Sequence, residues 1–328
     1  MQGCNLSPLL FNIYLNDLPS CLKCKDCDTV KIRDIEIKCV MYADDIVMFN
    51  KSEAGMNLYL KQLEEYCNKW RLTISVKKTK ILIINKKTAA VNFKLYNTTL
   101  EIVSNYCYLG IMIANSGTFK SAIKYLIKKA SNAYFAIRKE INFQNNTSPK
   151  VMLRLFDSVI QPVMLYGCEI WGVFGFRKSS TDYLKKYLLN MRHEFETLHT
   201  KLCRNILGVH RNATECLVKA ELGRFPLISV IVKHVYSYWQ HVMNSDPCSL
   251  IRNVVLGNTK PRILDYCSRV RLIFETLDCQ ALLPKVNSTY EIKKNCTKVK
   301  LAYQNMYTKY FFDMLKQKVE RPQSGGRF

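Results

Sequence analysis

Up to Ser116-Gly117 the apolar positions along this chain change period repeatedly. Beyond that point they settle into the three- and four-residue spacing of amphipathic helices. From Ser7 to Leu18, "SPLLFNIYLNDL" sets a Ser, then a Pro, then apolar residues at 9, 10, 13, 14 and 18. That order predicts an N-capped amphipathic helix. The runs "IEIKCVMY" and "DIVMF" flank Ala43-Asp44-Asp45 with almost no room between them, which predicts a tight β-hairpin carrying the aspartates at its tip. "NLYLKQLEEYCNKW" spaces Leu60, Leu63, Cys67 and Trp70 as one buried helical stripe. "KTKILIIN" follows as a core strand, and "FKLYNTTLEIV" and "YCYLGIMI" read as further short strands.

The segment "TFKSAIKYLIKKASNAYFAIRKEI" puts Ile123, Leu126, Ile127, Ala130, Tyr134 and Ile137 on one face and Lys120, Lys124, Lys128 and Arg138 elsewhere, a strongly basic amphipathic helix over 118–140. Turn formers at 144–149 end it. Further helices are predicted around 150–165, 181–207, 228–243 and 290–318, the last with a stripe of Tyr303, Tyr307, Tyr310 and Met314. The tail "RPQSGGRF" reads as frayed. Strands and helices in this order make an α+β chain without an internal repeat, its regions falling at 1–115, 116–210 and 211–328.

Charge changes the picture. Over 328 residues, 49 Lys and Arg against 26 Asp and Glu leave +23, spread along the chain, which favours a polyanionic partner such as nucleic acid or an anionic membrane surface. No apolar run reaches 18 residues, so a membrane span is not expected, and "MQGCNLSPLL" lacks the basic start of a secretory signal. The expected location is intracellular, in nucleus or cytoplasm. Fourteen cysteines, mostly single and in apolar contexts, then read as reduced thiols, and the sequons at 97 and 212 as chance matches.

Some residues invite sharper readings. Cys21, Cys24 and Cys27 in "CLKCKDC", with Cys39, have metal-like spacing, but no second paired knuckle accompanies them, so zinc is the minority reading. "HEFETLH" separates His193 from His199 by six residues, too far for ligands on one helix face, and reads as a polar face. Trp171 and Trp239 could stack on bases, but core packing is the expected role. The aspartate pair is the strongest signal. Two adjacent carboxylates among apolar residues are disfavoured by desolvation and by repulsion unless a cation or donor compensates, so the stretch points to a metal or a proton.

In order and separation, "MQGCNLSPLLFNIYLNDL", "MYADD", "WRLTISVKKTKILII" and "YLGIMI" resemble the reverse transcriptases of non-LTR, LINE-type retrotransposons. "LCRNILGVHRNATECLVKAELGRFPL" followed by "YSYW" resembles the region beyond the thumb in jockey-like members. The resemblance spans about residues 1–243. It implies RNA-directed DNA polymerisation on a palm (1–115), a helical thumb (116–210) and a helical C-terminal region (211–328). The substrates would be an RNA template, a DNA primer duplex and dNTPs, with Mg²⁺ or Mn²⁺ as cofactor and no membrane partner.

By the same resemblance, Gln2, Gly3, Ser7 and Pro8 lie against template and nucleotide. Asp44 and Asp45 hold metal, Asp44 directly and Asp45 more weakly. Lys78 meets the nucleotide phosphates, and Tyr108, Leu109 and Gly110 grip the primer end. Ser75 stands where the family has Asn. The basic helix would track a duplex backbone. The family's other catalytic aspartate lies upstream of the Gln-Gly segment, and Asp17, Asp26, Asp28 and Asp34 lack its surroundings. The expectation is therefore an N-terminally truncated enzyme, inactive alone unless an upstream half is supplied in trans. The alternative is a non-catalytic nucleic-acid-binding remnant or host-adopted protein.

Overall fold

A computed structural model describes residues 6–24, 28–84, 91–140, 148–174, 180–190, 193–256, 265–283 and 288–320. Two compact units divide the chain, Met1–Thr118 and Phe119–Phe328.

In the first unit the helix Glu53–Lys69 is the organising element. Ser52 caps it, its hydroxyl accepting from the Gly55 N–H at 3.0 Å, with Glu53 in the first turn and Lys69 in the last, both suited to the helix dipole. Its buried stripe serves two small cores. On one side Leu63, Tyr66 and Cys67 pack with Leu15 and Leu18, and half-buried Met41, Ile46 and Met48 close over them. On the other, Leu60 packs with Phe93, Leu95 and Leu100, with Ile81 and Ile102 alongside. Trp70 is half-buried, edge-on to Tyr14 at 5.1 Å, rather than at the centre of the stripe.

The described strands pair two by two. Val30–Ile32 with Ile35–Ile37, Cys39–Tyr42 with Asp45–Met48, Lys94–Leu95 with Thr98–Thr99, and Asn105–Tyr108 with Ile111–Ala114 are antiparallel hairpins. Lys80–Leu82 runs parallel to Glu101–Val103. The predicted run "IEIKCVMY" is thus split at Lys38, and its first part belongs to a hairpin the alternation did not reveal.

The first helix departs from expectation. It spans Ser7–Tyr14 with Leu6 in the N-cap position, no side-chain cap bond, and Pro8 in its opening turn, so Ser7 is not the cap. A second short helix, Leu18–Cys21, follows. Leu9, Leu10 and Ile13 of the first helix's apolar set are 56%, 61% and 64% exposed, as is Leu6 at 61%. Leu15 and Leu18 do the packing instead.

The described elements of the second unit are all helices. Lys120–Glu140 buries Ala122, Leu126, Ala130 and Tyr134 against a helical run from Pro149 to Met164 and against Glu194–Leu207. Ile123, Ile127 and Ile137 flank that stripe half-buried, and the lysines at 120, 124, 128 and 129 are exposed. Residues Phe156–Ile160 of the run form a π-helical turn. Ile228–Asn244 is buried on several sides, between Cys168–Trp171 and the long helix Thr289–Glu320. Tyr303 and Tyr307 of that helix are buried, whereas Tyr310 turns outward at 43% exposure. The predicted helix over 181–207 is two, Thr181–Leu188 and Glu194–Leu207. The short helices Glu215–Glu221, Leu250–Leu256 and Tyr266–Thr276 were not anticipated. Among the described residues no single helix is long and apolar enough to cross a membrane.

"HEFETLH" is corrected most sharply. Glu196, His199 and Lys219 are all fully buried. Glu196 Oε2 accepts from Lys219 Nζ at 2.6 Å and from His199 Nδ1 at 3.2 Å, and Oε1 accepts the Leu227 N–H. Arg224 Nε donates to His199 Nε2 at 3.4 Å while its two terminal nitrogens grip Asp157 at 2.6 and 2.7 Å. Because Arg224 can only donate, the neutral His199 carries its proton on Nδ1. Burial alone would raise the Glu196 pKa. The His199 hydrogen bond and the Lys219 charge outweigh it and hold the carboxyl down at about 2. Burial depresses His199 as well.

Both tryptophans with a nucleic-acid reading are core residues. Trp171 donates to the Tyr166 carbonyl at 2.9 Å and Trp239 to Leu283 at 3.1 Å, each 3% exposed.

Candidate active site on the aspartate hairpin

Tyr42 pairs with Asp45, which leaves Ala43 and Asp44 as a two-residue turn. Ala43 sits at φ 51°, in the left-handed region that tight hairpin turns require. Strand pleating sorts the neighbours by face. Met41 and Ile46, a cross-strand pair, face the helical core, while Tyr42 and Asp45 share the opposite face. Asp44 and Asp45 are both exposed, as is Tyr42 at 65%. The desolvation penalty inferred from their apolar neighbours therefore does not arise at these carboxylates. Met41, Ile46 and Met48 pack inward, Tyr42 and Val40 stay exposed, and the turn lifts the pair into water.

A second hairpin turns at Leu109 and Gly110, both with positive φ at 47° and 80°, since Tyr108 pairs with Ile111. Its strand Asn105–Tyr108 packs beside Lys80–Leu82. The Tyr108 hydroxyl is buried and has no hydrogen-bond partner among the described residues. Burial pushes this phenol up, and the charge of Asp45 adds to the effect, so the two hairpins bring Tyr108 and Asp45 into electrostatic reach. Lys78 lies exposed on a turn in which the N–H groups of Lys78 and Thr79 both donate to the Ser75 carbonyl at 3.0 Å.

Gln2 and Gly3 lie outside the described residues, as does Cys27. Ser7 opens the first helix, with Pro8 next to it. Of the acidic residues near in sequence, Asp17 accepts the Tyr66 hydroxyl, a structural contact. Asp34 sits in the turn of the hairpin Val30–Ile37. Among the described residues no third carboxylate, thiol or imidazole joins Asp44 and Asp45 in a ligand cluster, and Cys21, Cys24 and Cys39 do not form one either. An all-oxygen pair of exposed carboxylates fits a hard divalent ion such as Mg²⁺, which takes one or two carboxylates and fills its remaining positions with water and substrate phosphates.

These two hairpins and the helix behind them lie within a recognisable segment. Residues 1–126 match the model of the reverse transcriptase (RNA-dependent DNA polymerase) family. This segment is reverse-transcriptase-like. Two relatives extend the likeness. The RNA-directed DNA polymerase ascribed to transposon BS of Drosophila melanogaster is 26% identical over 183 residues, 52% of this chain and 19% of that protein. A transposon-derived protein of Caenorhabditis elegans is 28% identical over 175 residues, 51% of this chain and 56% of that protein. The segment that matches this family thus contains both hairpins and the aspartate turn, and the chain spans only part of each relative.

Proposed function

We propose that this chain is part of the reverse transcriptase of a LINE-type, jockey-like retrotransposon. Asp44 and Asp45 would supply its share of the divalent-metal ligands, and residues outside the chain would supply the remaining carboxylate. The observation that carries this reading is the exposed aspartate turn beside Tyr108, inside the segment that matches the family.

The metal, Mg²⁺ or Mn²⁺, would stabilise charge on the attacking and leaving oxygens of nucleotidyl transfer. The chain's own residues would do the rest. The turn keeps Asp44 clear of the core, Asp45 stands on the outward face opposite Tyr42, and Lys78 on its exposed turn is available to nucleotide phosphates. Leu109 and Gly110 hold the backbone that would abut a primer end. The exposed lysines of Lys120–Glu140 give the second unit a surface for a duplex backbone.

With two carboxylates and no third beside them among the described residues, the chain alone is expected to bind a primer–template duplex and to extend it little or not at all. Both are read from one preparation, by filter binding and by Mg²⁺-dependent primer extension on an RNA template. Binding without extension supports the proposal. Robust extension that disappears in Asp44→Ala would refute the claim of inactivity while supporting the site. Absence of both activities would remove the reading for this chain. The second reading, a non-catalytic nucleic-acid binder, rests on the +23 charge. Adding the upstream part of a related polymerase in trans separates the two, because only an incomplete enzyme gains Asp44-dependent extension.

A further inference from the structure

Away from the aspartate hairpin, the second unit gathers Cys168, Glu169 and His234. Their ligand atoms, a thiol sulfur, a carboxylate oxygen and a ring nitrogen, all lie within 4.8 Å of one another, the one such trio among the described residues.

The local fold explains how they meet. Gly167 adopts φ 68°, which lets the chain turn sharply into the helix Cys168–Trp171 and sets Cys168 at its first position. The turn is held on two sides. Trp171 Nε1 donates to the Tyr166 carbonyl at 2.9 Å, and the Tyr266 hydroxyl donates to the Glu169 carbonyl at 2.9 Å. The Cys168 N–H itself donates to the Leu165 carbonyl at 3.0 Å, which fixes the start of this helix. Ile228–Asn244 packs across this helix and brings His234 alongside. Cys168 is fully buried, Glu169 partly so, and His234 exposed, an arrangement that runs from a dry interior to an open rim.

We infer that Cys168, Glu169 and His234 form a zinc-binding site, with water or an external group in the fourth position. The chemistry of the donors selects the ion. Zinc takes thiolate, imidazole and carboxylate together, whereas Mg²⁺ and Ca²⁺ take oxygen. Tetrahedral zinc places its ligand atoms roughly 3.5 Å apart, so side-chain rotations of about 1 Å would close the trio on an ion. His234 at the rim provides the way in. The charges of Glu169 and Lys233 both act on His234, and that of Glu169 also reaches Tyr238. A bound ion would clip the short helix Cys168–Trp171 to the central helix of the unit, independently of the reverse transcriptase reading.

The test uses the full chain, stripped by chelation under reducing conditions and titrated with Co²⁺ as a spectroscopic stand-in. One equivalent should produce a thiolate-to-cobalt charge-transfer band and the d–d bands of a tetrahedral site, and Zn²⁺ should abolish both. Glu169→Gln and His234→Ala should each weaken cobalt binding at least about tenfold with the far-ultraviolet circular dichroism unchanged, and Cys168→Ser should remove the charge-transfer band. Since His234 is exposed, its variant keeps the test decisive even where Cys168→Ser fails to fold. No such bands in the parent chain, or bands that His234→Ala leaves at full strength and affinity, would overturn the assignment.

Discussion

Asp45 stands in an apolar stretch of sequence and Glu196 in a polar one, and the structure exposes the first and buries the second. Asp45 stands in water at the start of a strand. Substituting Asn at Asp44 or Asp45 should leave the urea midpoint essentially unchanged while altering any metal-dependent chemistry, a combination that circular dichroism and primer extension read separately. Glu196 is locked between Lys219, His199 and the Leu227 amide. Glu196→Gln would leave the Lys219 charge buried and unpaired, at a cost of about 3–5 kcal/mol measured by urea denaturation. The pH dependence follows from the same residues. Glu196, held at about 2, binds its proton more readily in the unfolded chain, and so does His199, whose pKa burial lowers. Stability should therefore fall as pH drops from about 6.5 through 4.5 toward 2. A midpoint independent of pH across that window would contradict the network. None of this was visible in "HEFETLH", because the partners that bury it lie 23 and 25 residues downstream.

At the scale of elements, the hairpins show what alternation does and does not reveal. "CVMYADDIVMF" announced its hairpin because two apolar runs flank the Ala-Asp-Asp corner with almost no room between them. Its turn, like those at Arg33, at Tyr96-Asn97 and at Leu109, uses a non-glycine residue at positive φ and so lacked the Asn-Gly signature that marks such turns in a sequence. Leu109→Asn should consequently stabilise the second hairpin by about 0.5–1 kcal/mol, seen as a rise in thermal midpoint, because Asn tolerates the left-handed region better than Leu. The first helix is the converse case. Its apolar spacing located a helix, but periodicity says only where apolar residues recur, not what covers them. The basic helix Lys120–Glu140 matched its predicted stripe at Leu126, Ala130 and Tyr134. If its exposed lysines contact phosphates, replacing Lys124 and Lys128 by Gln should reduce the slope of log K against log[salt] for duplex binding by about 0.9 per contact removed.

For the whole molecule, the change of pattern at Ser116-Gly117 lies close to the division between the units at Thr118. Hydrophobic spacing carried that information because a mixed strand-and-helix unit and an all-helical one need different periods. The helices Glu215–Glu221 and Leu250–Leu256 escaped notice because seven residues hold too few repeats to establish a period. A fragment of residues 119–328 has its own core and should fold alone, with cooperative thermal unfolding followed by circular dichroism; a non-cooperative melt would contradict that.

The uncovered strip of Leu6, Leu9, Leu10 and Ile13 has a consequence for the colloidal behaviour of the protein. At low ionic strength the +23 charge keeps copies apart. Added salt shortens the Debye length to about 10 Å at 0.1 M and weakens that repulsion without touching the hydrophobic strip. Light scattering should thus rise with salt instead of falling, and Leu10→Lys with Ile13→Lys should flatten the rise. The first turns of the chain would then set the ionic conditions under which it stays dispersed.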